Sequence, residues 1–418
     1  MPEPCAPHGV ARLSPEMVYS DRGRRMHTLQ PGRQRDLRID FFRGLALIFI
    51  FIDHIPDNRL ANFTLRNFAF ADAAEVFVLL AGFSAVLAYG RTFETQGFQA
   101  GVQRTLHRAG QIYVWHIGLL LLCSFGLAAI ATAVANPMYV EAIKLHTFAD
   151  QPVSAIASAI TLLNQPNLLN ILPLYVTLLL VWAPLLLWMV SRAPFVALGL
   201  SIGLWAVANA FSLNLPAHQN PAGWVFNPFA WQVLMTIGAV TAQFSLRRPI
   251  PVIPWLVIAA GAYAVFAFLF MAPWALIPGL ENTRLVAPDA LGSMDRIYVP
   301  AWRLVSILTL GYLALVLISA RSRWLTEPWA VAVANCGRHS LQIFCLATVL
   351  SLGAWVFLTE IGGNGLAPQL VVNFVGIALM LATAALLTQR KAAPETAVAR
   401  TRHPLAQARA EPMTAPRP

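Results

Sequence analysis

The sequence predicts an all-α polytopic integral membrane protein of about ten transmembrane helices, with both termini cytoplasmic. Three observations carry this. Hydrophobic residues make up 57% of the 418 positions and charged residues only 11%, about half the usual charged share. The apolar residues fall in runs near the roughly 20 residues that cross a bilayer core. The cations gather in every second connection between those runs.

Taken in chain order, ten segments qualify, at about 41–57, 72–90, 111–135, 168–190, 194–212, 226–245, 252–271, 301–320, 335–358 and 367–388. Pro184, Pro254 and Pro273 fall inside or at the edges of these runs. Membrane helices tolerate them because neighbouring groups satisfy the freed carbonyls. One side holds Arg33, Arg35, Arg38, Arg91, Arg104, Arg108, Arg192, Arg247, Arg248, Arg321, Arg323, Arg390 and Lys391. The other holds only Arg59, Arg66, Lys144, Arg284 and Arg296. This bias makes the first side cytoplasmic and is the positive-inside signature of an inner (cytoplasmic) membrane protein. Residues 1–36 and 389–418 read as disordered cytoplasmic tails around a membrane domain over 37–388. The outer connections, about 136–167, 213–225 and 272–300, are long enough to suggest function.

The composition also excludes classes. The net charge of +10 is spread over short connections and tails, so a nucleic-acid groove is not indicated. Cys5, Cys123, Cys336 and Cys345 are not framed as a disulfide scaffold. No short apolar core with a cleavage site follows the basic residues 1–38, so no cleaved signal peptide is expected. Phosphate-binding glycine loops, zinc spacings and serine-hydrolase elbows are all missing, and no metal is expected.

Ionisable residues inside a membrane are costly and point to function. The first segment, IDFFRGLALIFIFIDHIP, carries Arg43 and His54 eleven positions apart. That is about 16 Å and close to three helical turns, so both project from one face. Arg43 is expected near the cytoplasmic face and His54 about one turn inside the outer end. Glu75 is expected at similar depth on the second helix, where its carboxylate would orient the His54 ring. Asp53 points about 100° away from His54 and is the less natural partner. For His116, in YVWHIGLLLL, a hydrogen bond to a neighbouring carbonyl is the simpler account.

Arg104 and Arg108 are spaced i, i+4 at the cytoplasmic entrance of the third helix, where they serve as surface anchors or as an anion site. Arg338 follows a glycine that permits close backbone approach. With Arg43, these arginines are expected to form one basic mouth for a phosphorylated ligand. On the outer side, Asn167, Asn170, Asn227 and Gln232 suit a ligand rich in hydroxyls. Tyr175 and Trp231 fit that role and an aromatic belt equally well.

RIDFFRGLALIFIFIDHIPDN, TLRNFAFADAAEVFVLLAGFSAVLAYG, QPNLLNILPLYV, FNPFAWQVLMTIG and GRHSLQIF together resemble the OpgC family of inner-membrane proteins of Gram-negative bacteria. The resemblance runs from about residue 35 to 388. The family is related to the acyltransferase-3 superfamily, whose first helix carries an Arg, ten residues and a His; Arg43 and His54 fit that spacing. One departure is Asn170, where the resemblance leads one to expect Asp.

The resemblance implies ten membrane helices and an acyl donor such as succinyl-CoA from the cytoplasm. It implies a hydroxyl acceptor at the outer face and succinylation of osmoregulated periplasmic glucans. No permanently bound cofactor is implied. Arg43, Arg104, Arg108 and Arg338 would then hold the donor's head. Asn167, Asn170, Tyr175, Asn227, Trp231 and Gln232 would meet the glycan. His54 would act as general base, helped by Glu75 and Asp53, either directly or through an acyl-histidine. A proton-coupled transporter with a His54–Glu75 relay is the alternative. A non-catalytic membrane subunit leaves His54 without a role.

Overall fold

The computed structural model describes residues 36–142, 152–166, 168–218, 220–272, 274, 295–363 and 365–408. The predicted N-terminal tail, Asn167, and most of the long connections near 143–151 and 275–294 lie outside the described residues. The described residues are helical, with no β-strand among them. Eleven main helices carry the fold. They are α1 (Leu37–Asp53), α2 (Ala73–Thr95), α3 (Phe98–Ala133) and α4 (Ile171–Val190). Then come α5 (Pro194–Ala210), α6 (Pro228–Arg247), α7 (Pro254–Met271) and α8 (Ala301–Leu317). The last three are α9 (Pro328–Arg338), α10 (Ser340–Glu360) and α11 (Leu366–Ala408).

Each of the ten predicted apolar segments is helical over most of its length. Among the described residues, seven helices are long and apolar enough to cross a membrane: α2, α3, α4, α6, α7, α10 and residues Leu366–Lys391 of α11. α5 and α8 are shorter apolar helices of 17 residues each. The predicted ninth segment is broken at His339, where α9 stops and α10 begins. α11 runs on to Ala408, beyond the predicted end near 388.

α1 begins four residues before its predicted start. Asp36 caps it, accepting from the Arg38 amide at 3.0 Å. Arg38 then donates to the carbonyls of Leu315 and Ile318, tying the start of α1 to the end of α8. α1 also stops earlier than predicted. Pro56 brings no amide to continue the ladder, and Asp57 turns into the left-handed region at φ 56°. His54 is therefore the C-terminal cap of α1 and not a residue one turn inside it. Asn58 holds this corner, giving its amide to Ile52 O at 2.9 Å and exchanging amide bonds with Asn373 of α11.

Two helix pairs approach at backbone distance. Gly82 of α2 meets the Met235 carbonyl of α6, and Gly238 of α6 meets the Leu79 carbonyl of α2. Gly44 of α1 and Gly337 of α9 make the same reciprocal contact, against Val333 O and Asp40 O. A side chain at any of these four positions would overlap the opposing backbone. This is the small-residue packing that lets membrane helices gain dispersion energy without a hydrophobic driving force. α2 and α4 each contain a π-helical turn, at Val86–Gly90 and Leu178–Trp182. Such turns shift the register of the side chains that follow.

Candidate active site

The end of α1, the start of α2 and the start of α4 converge on a cavity of about 280 Å³. His54 and Asp53 come from α1, Asp72 from the cap of α2 and Asn170 from the cap of α4. Arg66, from the short turn Leu65–Asn67, and Arg296, ahead of α8, complete the polar lining. Ile50 and Phe344 are among the apolar walls.

His54 is oriented by its own helix. Its Nδ1 lies 2.6 Å from Ile50 O. A carbonyl can only accept, so Nδ1 carries the proton and Nε2 keeps the lone pair. Nε2 has no partner among the described residues. Asp53 accepts from the Thr64 hydroxyl at 2.6 Å. Asn170, with its amide nitrogen turned to the backbone, donates to the Pro166 and Gln165 carbonyls.

The expectation that Glu75 orients His54 is corrected. Glu75 is fully buried and accepts from Arg303 Nε at 2.5 Å. Its other oxygen accepts from the Asp72 amide at 3.0 Å, while Asp72 accepts from the Ala74 amide at 2.8 Å. Glu75 is the third residue of a capping box on α2, and that box turns its carboxylate back along the helix toward Arg303. Asp53, the less natural partner on helical phase, lines the His54 cavity, together with Asp72. His54 keeps αR backbone angles and its amide still bonds Ile50 O, so Asp53 lines the cavity from a neighbouring phase of the helix without turning onto the ring.

The predicted basic mouth is also corrected, because the structure gives its arginines separate places. Arg43 sits six positions, about 9 Å, into α1 and donates to Leu80 O at 2.8 Å and to the Ser84 hydroxyl. Arg338 turns to Asp40, with Nε 3.4 Å from its carboxylate, and to Asn335. The glycine before it admits the α1 backbone, not a ligand. Arg104 and Arg108 do line a cavity, of about 360 Å³, with Tyr89, His107 and Gln111. Tyr89 and Asp72 are 17 positions apart on α2, about 25 Å, so this basic cavity lies at the opposite end of α2 from His54.

Most of the amides expected to meet a ligand are structural, and their substrate roles are corrected too. Asn227 caps α6, accepting from the Phe229 amide at 3.0 Å and donating to Leu213 O at 2.7 Å. Gln232 accepts from the Ser201 hydroxyl and donates to Ser201 O, joining α6 to α5. Tyr175 donates to Phe77 O at 2.8 Å between α4 and α2. Trp231 is fully buried and donates to Arg296 O at 2.9 Å. It thus fixes the backbone of a cavity residue without lining the cavity. Of the described amides, Asn170 alone reaches the His54 cavity.

Four residues escaped the sequence reading. Arg66 and Arg296 served there only to count charge, and Asp72 only to mark a helix start. Arg303 lies three residues into an apolar segment and carried the usual signal of an intramembrane charge seeking a partner. It has Glu75 and, at 3.3 Å, Asp72. Among the described residues, no group of three His, Cys, Asp or Glu side chains comes together as a metal site.

The family model described as "OpgC protein" matches residues 35–392. The chain belongs to the OpgC family. Comparison with curated proteins and with solved structures returns no match. OpgC membership implies a multi-pass membrane acyltransferase acting in glucan modification. The all-helical fold and the matched span, which covers both cavities, agree with that class.

Proposed function

We propose that this OpgC-family chain moves a succinyl group from cytoplasmic succinyl-CoA to a hydroxyl of a periplasmic glucan. In this reading it crosses the bacterial inner membrane ten times, with both termini in the cytoplasm. The observation that carries the proposal is the His54 imidazole: its Nδ1 proton is spent on Ile50 O, and its Nε2 is left open beside a cavity. That is the arrangement a general base needs. The basic cavity of Arg104 and Arg108 at the far end of α2 suits the phosphates of CoA.

The glucan hydroxyl gives its proton to His54 Nε2 as its oxygen attacks the thioester carbonyl. The new C–O bond forms, the C–S bond breaks, and the imidazolium returns the proton to the departing CoA thiolate. Asp53 stands in the same cavity and favours the transient positive charge on the ring. The transporter reading was built on a His54–Glu75 relay, and Glu75 is engaged by Arg303.

The test uses purified protein in detergent with labelled succinyl-CoA or acetyl-CoA, with and without oligoglucose. Wild type is expected to label the oligoglucose, and His54→Ala to lower the rate about 10²- to 10⁴-fold. Equal labelling by the variant would remove His54 from the mechanism. No labelling by wild type, with solute uptake in proteoliposomes, would favour a transporter.

A further inference from the structure

Two guanidinium groups at the His54 cavity have no task in the transfer step. Arg66 makes no hydrogen bond or ion pair with any described residue, although it lines the cavity. Arg296 reaches Asp72 only at 3.6 Å, longer than a hydrogen bond, and its side chain stays 45% exposed. Each carboxylate around them has another hydrogen-bond partner. Asp72 has Arg303 at 3.3 Å and the Ala74 amide. Glu75 has Arg303, and Asp53 has the Thr64 hydroxyl. Arg66 and Arg296 are both exposed residues at the cavity lining, so the donors of Arg66, and most of those of Arg296, are open to solvent and to whatever enters the cavity. Both arginines lie within electrostatic reach of Asp53 and His54.

Arg296 is also placed with care. Its carbonyl is held by the indole of Trp231, a side chain with no exposed surface. A buried anchor of this kind pre-sets the backbone from which the guanidinium reaches the site. Two planar donor forks beside a reacting group suit an anion with two equivalent oxygens.

We propose that Arg66 and Arg296 bind the free carboxylate of a dicarboxylic acyl group and so make the site selective for a succinyl-type donor. This rests on the acyl-transfer reading above. A donor arriving from the far end of α2 brings its acyl group forward first. The thioester carbon stops at His54, and the distal carboxylate extends past it, to where the two arginines stand. An acetyl group ends before reaching them. A butyryl group has the same chain length but offers only a methyl group to the two guanidiniums, so the charge-assisted bonds are not formed.

The experiment fixes one neutral oligoglucose acceptor and varies the donor among succinyl-CoA, butyryl-CoA and acetyl-CoA. Wild type is compared with Arg66→Gln, Arg296→Gln, the double variant and Arg66→Lys. Each Gln substitution is expected to lower the succinyl-to-butyryl ratio of kcat/KM about 10- to 100-fold, the scale of a charged hydrogen bond. The double variant is expected to prefer butyryl-CoA, and Arg66→Lys to recover part of the ratio. Residual acetyl transfer reports that each variant is folded. An equal fall with all three donors would overturn the proposal, assigning the arginines to the acceptor or to stability. So would an unchanged ratio. Wild type moving none of the three acyl groups would overturn the acyl-transfer reading, and this proposal with it.

Discussion

Arg303 Nε donates to Glu75 Oε1 at 2.5 Å inside the protein, joining the starts of α8 and α2. The pair decides the character of the site beside it. Arg303 holds both Glu75 and Asp72, so the capping box of α2 and the start of α8 form one charged joint. The His54 cavity is built against this joint, with Asp72 shared between them.

Breaking one side of a buried ion pair leaves the other charge uncompensated, which costs about 3–5 kcal/mol. Glu75→Leu and Arg303→Met are each expected to destabilise the protein by that order. The double substitution is expected to regain much of the loss, because no charge is then stranded. Thermal unfolding in detergent measures all three. Single variants as stable as wild type would mean that the joint carries no stability.

His54→Asn separates the two nitrogens of the ring. The Asn amide can still donate to Ile50 O, but it has no lone pair able to take a proton at neutral pH. We expect transfer to fall about 10²- to 10⁴-fold while stability changes little. Retained transfer would move the base elsewhere in the cavity.

The reciprocal contact of Gly82 with Met235 O and Gly238 with Leu79 O leaves no room for a Cβ. Gly82→Leu and Gly238→Leu are each expected to force α2 and α6 apart and abolish folded protein, read as loss of the monodisperse peak. Gly203 on α5 faces open space, so Gly203→Ala is expected to be tolerated and to gain up to about 1 kcal/mol of helix propensity. Equal behaviour of the three variants would show that the close approach is not a packing requirement.

Hydrophobic run length located the helices because the bilayer imposes one length on every crossing, whatever else the chain does. Partner choice was harder to read. Whether Asn227 caps a helix or meets a sugar depends on where the Phe229 amide and the Leu213 carbonyl lie, and neither is set by spacing alone. Glu75 was legible as the third residue after Asp72, the signature of a capping box, and that local rule outranked the depth argument that paired it with His54. Arg66 and Arg296 reach the site from connections between helices, where no periodicity exists to orient a side chain.

His116 supplies the last prediction. It lies on α3 with no exposed surface, and neither ring nitrogen has a partner among the described residues. The carbonyl bond expected from the sequence is not formed among the described residues. A buried polar group without a partner costs about 1–3 kcal/mol relative to one that is bonded. Leucine fills similar space without polar atoms, so His116→Leu is expected to leave transfer intact and to raise stability by up to that amount. Thermal unfolding and the succinyl-CoA assay on the same preparation check both halves. A fall in stability of more than about 1 kcal/mol would mean that the imidazole is bonded in the working protein, by water or by a ligand inside the bundle.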